Sequence, residues 1–464
     1  MVCPVMAEGS DSLPFAVIGA GATGLAAAHA LVQRGHRVRL FEAGERIGGP
    51  VQSVRDGDWL VEAGPNTIQE SAEVSELITQ LGLQARRQTA QAAAKNRYIL
   101  RGGKPVAAPT SPPGLFSSPL FSFGTKVRVF SELLRPRRVR TTDISLAEFI
   151  ESHFGRELVD YGLNPFVSGV YAGDPQKLSA RYAFPTLWAA ERSHGSIIRA
   201  QIAAAKERKR QGDTRRGPPA IISFDEGLAT LMQSLVAKLP AGSLELGARV
   251  QTLVRDEAWK LVWSRDGETH TESFSRVLFA LPASALARLS IGSLGERPLA
   301  ELEAIDYPPV TSVFLGYRRE QVKHPLDGFG LLIPQREHRQ VLGVLFSSSL
   351  FAGRAPEGHV ALTVIVGGMT RPDLGRAPIE QLMPLVQREL AELLGVSGDP
   401  VYQRHHNWPR AIPQYNLGYG RFLDAMTRFE ETHPGLLIGG HVRDGIALSA
   451  CLSAGRKLAE RASD

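Results

Sequence analysis

The chain has 464 residues, 43% hydrophobic and 22% charged, the proportions of a globular protein long enough for two or three domains. No run of about 18 uninterrupted apolar residues occurs, so no spanning helix is expected. The start, MVCPVMAEGSDSLP, lacks a basic segment followed by an apolar one, so no signal peptide is expected and residues 1–13 read as a flexible extension. The net charge of +6 is local, concentrated in basic runs at Lys206–Arg216 and Leu133–Arg140. Neither run carries interleaved aromatics or a nucleic-acid motif, so no nucleic-acid partner is expected. The two cysteines, Cys3 and Cys451, predict no disulfide and a reducing compartment. No Cys/His grouping has metal-ligand spacing, and adjacent His405 and His406 point in different directions, so no metal is expected.

In chain order, Phe15–Ile18 reads as an apolar strand ending at glycine, Gly24–Gln33 as an Ala/Leu-rich helix and Arg37–Ala43 as a second strand. Ser71–Leu83 has apolar residues at helical spacing and a glycine near its end. NRYILRGGKPVAAP predicts a strand, a Gly-Gly turn and a returning strand. Residues 105–145 mix prolines with Leu115, Phe116, Leu120, Phe121 and Phe123, then arginines. Proline is expected to break regular structure there, and exposed aromatics beside cations suit contact with an anionic membrane surface. Residues 143–210 read as mainly helical. PAIISFDEGLATLMQSLVAKL predicts strand, turn and helix, LELGARVQTLVRDEAWKLVW predicts strands, and RVLFALPASALARL a strand before a helix. TSVFLGY, GFGLLIP, VLGVLF and VALTVIVGG are strand-like, IEQLMPLVQRELAELLG is an amphipathic helix, and the C-terminus reads as strand, turn and helix. The βαβ pieces lie at the start, around Ile221–Leu289 and at the end. One nucleotide-binding domain is therefore expected from separated segments, with other domains inserted.

Gly19-Ala20-Gly21-Ala22-Thr23-Gly24 is a G-x-G-x-x-G run placed after a strand and opening a helix. Its glycines permit a tight turn, close approach to a pyrophosphate, and helix-on-sheet packing. The helix N-terminus then faces the phosphates with free N–H groups. Glu42, at the end of the second strand, suits ribose hydroxyls and repels a 2′-phosphate. ERIGGPVQS follows at once: Gly48 and Gly49 let the chain pass near a cofactor, and Arg46 can cover its phosphates.

ERIGG resembles the R-x-G-G signature of FAD-dependent amine-oxidase-type flavoproteins. WLVEAGPNTI (Trp59–Ile68), FALPASAL with Ala280 and Pro282, and the glycine-rich turn Gly439–Leu448 are similar to other segments of that superfamily. FVSGVYAGDPQKLSARYAFP (Phe166–Pro185), DGFGLLIP (Asp327–Pro334) and NWPRAIPQYNLGY (Asn407–Tyr419) resemble the protoporphyrinogen oxidases, from about Phe15 to the end. The resemblance implies an α/β protein: a discontinuous Rossmann-like FAD-binding domain (14–88, 217–300 and 405–464), an inserted α+β substrate domain (89–108 and 301–404) and an inserted mainly helical membrane-docking domain (109–216). It implies FAD contacts at Gly19, Ala20, Gly21, Ala22, Thr23, Gly24, Glu42, Arg46, Gly49, Gly64, Pro65, Asn66, Thr67, Val250, Trp408, Ile446, Ala447 and Leu448. In KNRYIL it implies that Arg97 pairs a propionate of the porphyrinogen, an assignment that suits a guanidinium fork. Gly169 then presents main chain to the macrocycle, and Phe329, Leu332 and Ile365 wall it.

The activity so implied is oxidation of protoporphyrinogen IX to protoporphyrin IX in haem synthesis. Six electrons leave in three FAD-mediated hydride steps, with O2 as oxidant and H2O2 formed. The flavin carries the chemistry, and no catalytic side chain is named. Coproporphyrinogen III oxidation and a non-catalytic FAD- and porphyrin-binding homologue are the alternatives. The resemblance further implies a peripheral position on the cytoplasmic membrane face, a homodimer, and hand-over of product to the next enzyme of haem synthesis. Pro50, Asn66, Ser449 and the stretch GGHVRDGIALSA depart from the common pattern near the flavin.

Overall fold

The computed structural model describes residues 13–137, 140–210, 219–292 and 294–464. Residues 1–12 with Cys3 among them, Arg138 and Val139, residues 211–218 with the end of the Lys206–Arg216 run, and Ser293 lie outside the described residues. The protein is a mixed α/β fold of two compact units, each made of separated segments.

The first unit comprises Met1–Gly49, Leu231–Ala304 and Asp424–Asp464. Its centre is a five-stranded parallel sheet in the order Leu244–Leu246, Val38–Glu42, Phe15–Ile18, Arg276–Phe279, Leu436–Ile438. Every residue of Phe15–Ile18 is buried, as expected of a central parallel strand covered on both faces. Helix Ala22–Gln33 buries nearly its whole surface, so its run of alanines serves close packing. Helix Leu448–Ser463 lies on it, and a Cβ at Gly455 would come within 2.3 Å of the Thr23 carbonyl. A four-stranded sheet, Glu268–Phe274, Trp259–Arg265, Arg249–Arg255 and Ser290–Ile291, completes this unit.

The second unit comprises Pro50–Thr230 and Ile305–Leu423. Its main element is a seven-stranded sheet in the order Tyr402–Trp408, Val310–Arg318, His359–Gly367, Gly343–Leu345, Gly328–Leu332, Asn96–Arg101, Lys104–Ala107. One face carries Val313, Leu315, Leu331, Val344, Leu362, Val364 and Val366 and packs in one cluster with Leu382, Val386, Leu390, Leu393 and Leu394 of helix Ile379–Leu394. Each such buried side chain contributes on the order of 2 kcal/mol. The expected amphipathic helix is thus the lid of this core.

Four local expectations are corrected. Residues 105–145 are not broken throughout: Pro112–Ser117 and Phe123–Ser131 are helices. Ser111 and Ser122 cap them through their hydroxyls, and proline is well placed in a first turn, where its missing N–H is not needed. Of the apolar residues there, Leu120 and Phe121 are buried against Ile99, whereas Phe116 and Phe123 are exposed. Ile221–Phe224 is a strand, but it pairs antiparallel with Ile68–Gln69 and Arg87–Thr89 in a separate small sheet rather than joining the parallel one. A local strand-turn-helix pattern does not name the sheet it joins. Finally, Tyr402–Trp408 is an edge strand and Gly420–Thr432 a helix, neither expected; the polar YQRHHNW has no apolar alternation to reveal it.

Candidate cofactor and substrate sites

In the first unit the three glycines of the loop differ in what they make room for. Gly19 has φ +101°, and a Cβ there would lie 2.6 Å from the Ala280 carbonyl oxygen. A Cβ at Gly24 would lie 1.7 Å from the Gly19 carbonyl oxygen. Both therefore serve internal packing. Gly21 is the N-cap of helix Ala22–Gln33 with an ordinary φ of −74°, and a Cβ there meets nothing within 4 Å. The space it would fill lies before a helix start that has no side-chain cap and no acidic residue in its first turn. That is a cradle for a phosphate group. Buried Thr23 is overlaid by Gly440, whose Cβ would lie 3.1 Å from the threonine hydroxyl. The turn containing Ile446 and Ala447 thereby reaches the same helix start; Ala447 caps helix Leu448–Ser463 and Leu448 is buried.

Glu42 is held by two backbone N–H groups, each at 2.8 Å: Ala20 donates to Oε2 and Gly44 to Oε1. Both oxygens keep acceptor capacity for ribose hydroxyls. The Ala248 N–H donates to the Glu42 carbonyl at 2.8 Å, which brings half-buried Val250 beside this strand end. The Gly48 N–H donates to the Ala20 carbonyl at 2.8 Å, and a Cβ at Gly49, φ +56°, would lie 3.5 Å from Gly21 Cα. The RIGG loop is folded onto the glycine loop, with exposed Arg46 at its edge. An open phosphate cradle, a diol-accepting carboxylate and a covering loop together fit a dinucleotide.

Gly64, Pro65, Asn66 and Thr67 and Trp408 fall in the second unit. They are brought together there: Trp408 Nε1 donates to the Ala63 carbonyl at 2.9 Å, and Asn66 Nδ2 donates to the Gly64 carbonyl at 3.1 Å. Pro50 has a structural place, since a Cβ at Gly64 would lie 2.0 Å from its carbonyl oxygen. Glu62, just before this segment, is buried; it accepts from the Ser53 hydroxyl at 2.6 Å and the Leu228 N–H at 2.9 Å. Arg354, 2% exposed, lies 3.6 Å away and donates to the Ser223 hydroxyl at 2.6 Å. Burial pushes the Glu62 carboxyl up to about 7, against the opposing pull of Arg354, Ser53 and Leu228. Sequence reading missed Arg354; the signal available is a lone arginine within an otherwise apolar SLFAGRAP.

The five substrate candidates also share the second unit, and the seven-stranded sheet gathers four of them on the face opposite helix Ile379–Leu394. Leu332 pairs with Gly343, which pairs with Ile365, a row of side chains on one face. Arg97 pairs with Gly330, two residues before Leu332 and on the same face. Phe329 would point to the other face by simple alternation. A bulge between Gly328 and Gly330 returns it to the Arg97 side, and the guanidinium lies over its ring at 5.3 Å. Gly169, on helix Asn164–Tyr171, comes against this row, where an added Cβ would lie 2.5 Å from Leu332 Cδ2. Phe329, Leu332 and Ile365 are half-buried, while neighbouring Leu331, Val364 and Val366 are fully buried; Phe329 packs against Ala94, Leu350 and Phe351, and Ile365 against Ala172, Val310 and Leu342. Arg97 is exposed and has no carboxylate in ion-pair range among the described residues. His405 and His406 pair with Val313 and Ser312, on opposite faces of the edge strand.

The flavin containing amine oxidoreductase family matches residues 22–462. Protoporphyrinogen oxidase 2, chloroplastic/mitochondrial, of Arabidopsis thaliana is 34% identical, covering 96% of this chain and 92% of that one. Coproporphyrinogen III oxidase of Staphylococcus aureus is 26% identical, covering 96% of this chain and 98% of that one. A crystal structure from Exiguobacterium sp. 255-15, a candidate protoporphyrinogen oxidase, superposes with a TM-score of 0.81 at 23% identity over 98% of this chain and 99% of that one, a likeness of fold. The phosphate cradle and the family match agree on the cofactor, FAD. The chain belongs to the flavin-containing amine oxidoreductase family and, within it, to the protoporphyrinogen oxidases.

Proposed function

We propose that this flavoenzyme oxidises protoporphyrinogen IX to protoporphyrin IX, consuming three O2 and releasing three H2O2. The observation that carries the reading is Arg97: an exposed guanidinium without a carboxylate partner among the described residues, set beside half-buried Phe329, Leu332 and Ile365 on one sheet face. A macrocycle with apolar faces and propionate arms matches that pairing of an apolar wall and one fork of N–H donors.

Bound FAD supplies the hydride acceptor, and the side chains do the holding. The N–H groups after Gly21 meet the pyrophosphate, and Glu42 accepts from ribose hydroxyls. Arg97 fixes a carboxylate remote from the reacting carbon, and the three apolar residues with the Gly169 backbone hold the ring plane and keep water from it. In this reading residues 14–88, 217–300 and 405–464 serve the cofactor, 89–108 and 301–404 the substrate, and 109–216 dock on the cytoplasmic face of a membrane. Exposed Phe116, Phe123, Val127 and Leu134 support that docking surface, with Arg135 and Arg137 next to them in sequence.

Coproporphyrinogen III is the second reading, favoured by the coproporphyrinogen III oxidase relative. Aerobic turnover of both porphyrinogens, followed by fluorescence of the product, decides between them. Faster turnover of the two-propionate substrate is expected; preference for the four-propionate one overturns the choice. Bleaching of the flavin when either porphyrinogen is added without oxygen separates a catalyst from a carrier.

A further inference from the structure

Arg97 stands between two side chains that point away from it. Along a strand successive side chains alternate between faces, so Asn96 and Tyr98 both project to the face opposite the guanidinium. There they meet one carboxylate. Tyr98 Oη donates to Asp327 Oδ1 at 2.7 Å, and Asn96 Nδ2 donates to Asp327 Oδ2 and to the Asp327 carbonyl, each at 3.1 Å. The His324 ring closes edge-on against Tyr98 at 5.1 Å, and its Nδ1 accepts from the Leu326 N–H at 3.0 Å.

The chain is bent to make this clamp. Leu326, immediately before Asp327, has φ +56°, a left-handed conformation that a branched side chain rarely adopts. Outliers of this kind persist where surrounding contacts over-determine them, often at functional sites. Gly328 follows, where a Cβ would lie 2.7 Å from the Asn96 carbonyl oxygen and 2.9 Å from the Tyr98 ring. The bulge that turns Phe329 towards Arg97 comes next. A left-handed residue before Asp327 and a bulge after it thus flank the side chain, and the glycine between them lets the strand close on Asn96 and Tyr98.

We propose that Asp327 is a positioning residue: by clamping Asn96 and Tyr98 behind the sheet, it fixes the direction of Arg97 and the bulged Phe329 in front, and so sets carboxylate recognition. The proposal rests on the reading of Arg97 as the propionate partner. Asp327 touches neither substrate nor cofactor in this role.

The test is steady-state kinetics on flavin-loaded Asp327→Ala, Asp327→Asn and Tyr98→Phe, alone and combined with Arg97→Ala. Protoporphyrinogen IX and its dimethyl ester are the substrates. Asp327→Ala is expected to raise KM for the free acid about tenfold while kcat stays within about twofold, the pattern of lost binding that is uniform along the reaction. Asp327→Asn, which keeps an oxygen for Tyr98, and Tyr98→Phe, which keeps the carboxylate, should each raise KM less. With the dimethyl ester, or in the Arg97→Ala background, Asp327→Ala should change KM by less than about twofold, because coupled residues are not additive. An equal rise in KM with the ester or without Arg97, or a matching fall in kcat, overturns the proposal and leaves Asp327 a structural residue. If Arg97→Ala alone leaves KM for the free acid unchanged, the propionate reading itself fails. Flavin content and Tm of each variant show that the fold is retained, and Asp327→Asn and Tyr98→Phe keep the test open should Asp327→Ala not fold.

Discussion

The glycine loop of the first unit and the sheet face that carries Arg97 in the second are built by opposite means. The loop offers backbone: N–H groups at a helix start, bared because Gly21 has no side chain, with Glu42 pinned by the Ala20 and Gly44 amides. The sheet face offers side chains whose own backbones are buried in a paired sheet, and Arg97, Phe329, Leu332 and Ile365 come from three different strands. A backbone site depends on what is absent, so adding one methyl group destroys it. A side-chain site depends on what is present, so removing one group weakens it by that group's share. The two kinds of site should therefore fail differently.

The largest effect is expected at Gly24→Ala. The added Cβ meets the Gly19 carbonyl at 1.7 Å, and this neighbour is backbone that cannot swing aside. The cost should exceed the ~1–3 kcal/mol typical of overpacking; loss of soluble folded protein, followed by circular dichroism, checks it. Gly21→Ala should behave in the opposite way. Its φ is ordinary and its surroundings open, so apoprotein stability should shift by no more than about 1 kcal/mol, the N-cap preference for glycine opposing the lower entropy of the unfolded chain, while flavin affinity falls by at least about tenfold. Equal flavin content in Gly21→Ala and wild type would show that the bare helix start does not hold the cofactor. Apoproteins must be compared, since bound cofactor itself stabilises the fold.

On the sheet face, Arg97→Ala should raise KM about tenfold to a hundredfold with little change in kcat, the range of one charge-assisted pair. The fold and flavin content should stay intact, because the guanidinium is exposed and, among the described residues, its contact is with the Phe329 ring.

Glu62 gives a pH-dependent test. Its carboxyl is raised by burial from 4.5 to about 7, so the folded state holds a proton that the unfolded state has released across that window. Stability from this group is complete below pH 4.5, declines as pH rises to about 7 and is level above. The decline should be about 3 kcal/mol, and Glu62→Gln should remove it from denaturant melts taken across that range. The smallest effect on the fold is expected at Phe123→Ser with Leu134→Ser, 77% and 83% exposed. Melting should be unchanged, within about 0.5 kcal/mol, while sedimentation with anionic vesicles should fall; unaltered vesicle binding would remove the docking reading.

The βαβ geometry of the glycine loop was legible in residue order alone: strand, turn, helix and carboxylate follow in one short span, Phe15–Gly49, and local spacing fixes local geometry. The helix Ile379–Leu394 and the Asn96–Ala107 hairpin were legible for the same reason, through periodicity and a Gly-Gly turn. Arg97, Gly169, Phe329, Leu332 and Ile365 were named from a resemblance, and no spacing among them shows that they meet. Their meeting comes from the fold, because a shared sheet face is set by register between distant strands, and one bulge at Phe329 reverses which way a side chain points. Tertiary pairing likewise placed Ile221–Phe224 outside the parallel sheet, buried Leu120 and Phe121 while exposing Phe116 and Phe123, and matched Arg354 to Glu62. Those outcomes depend on contacts between residues far apart in the chain, which residue order alone does not encode in any local pattern.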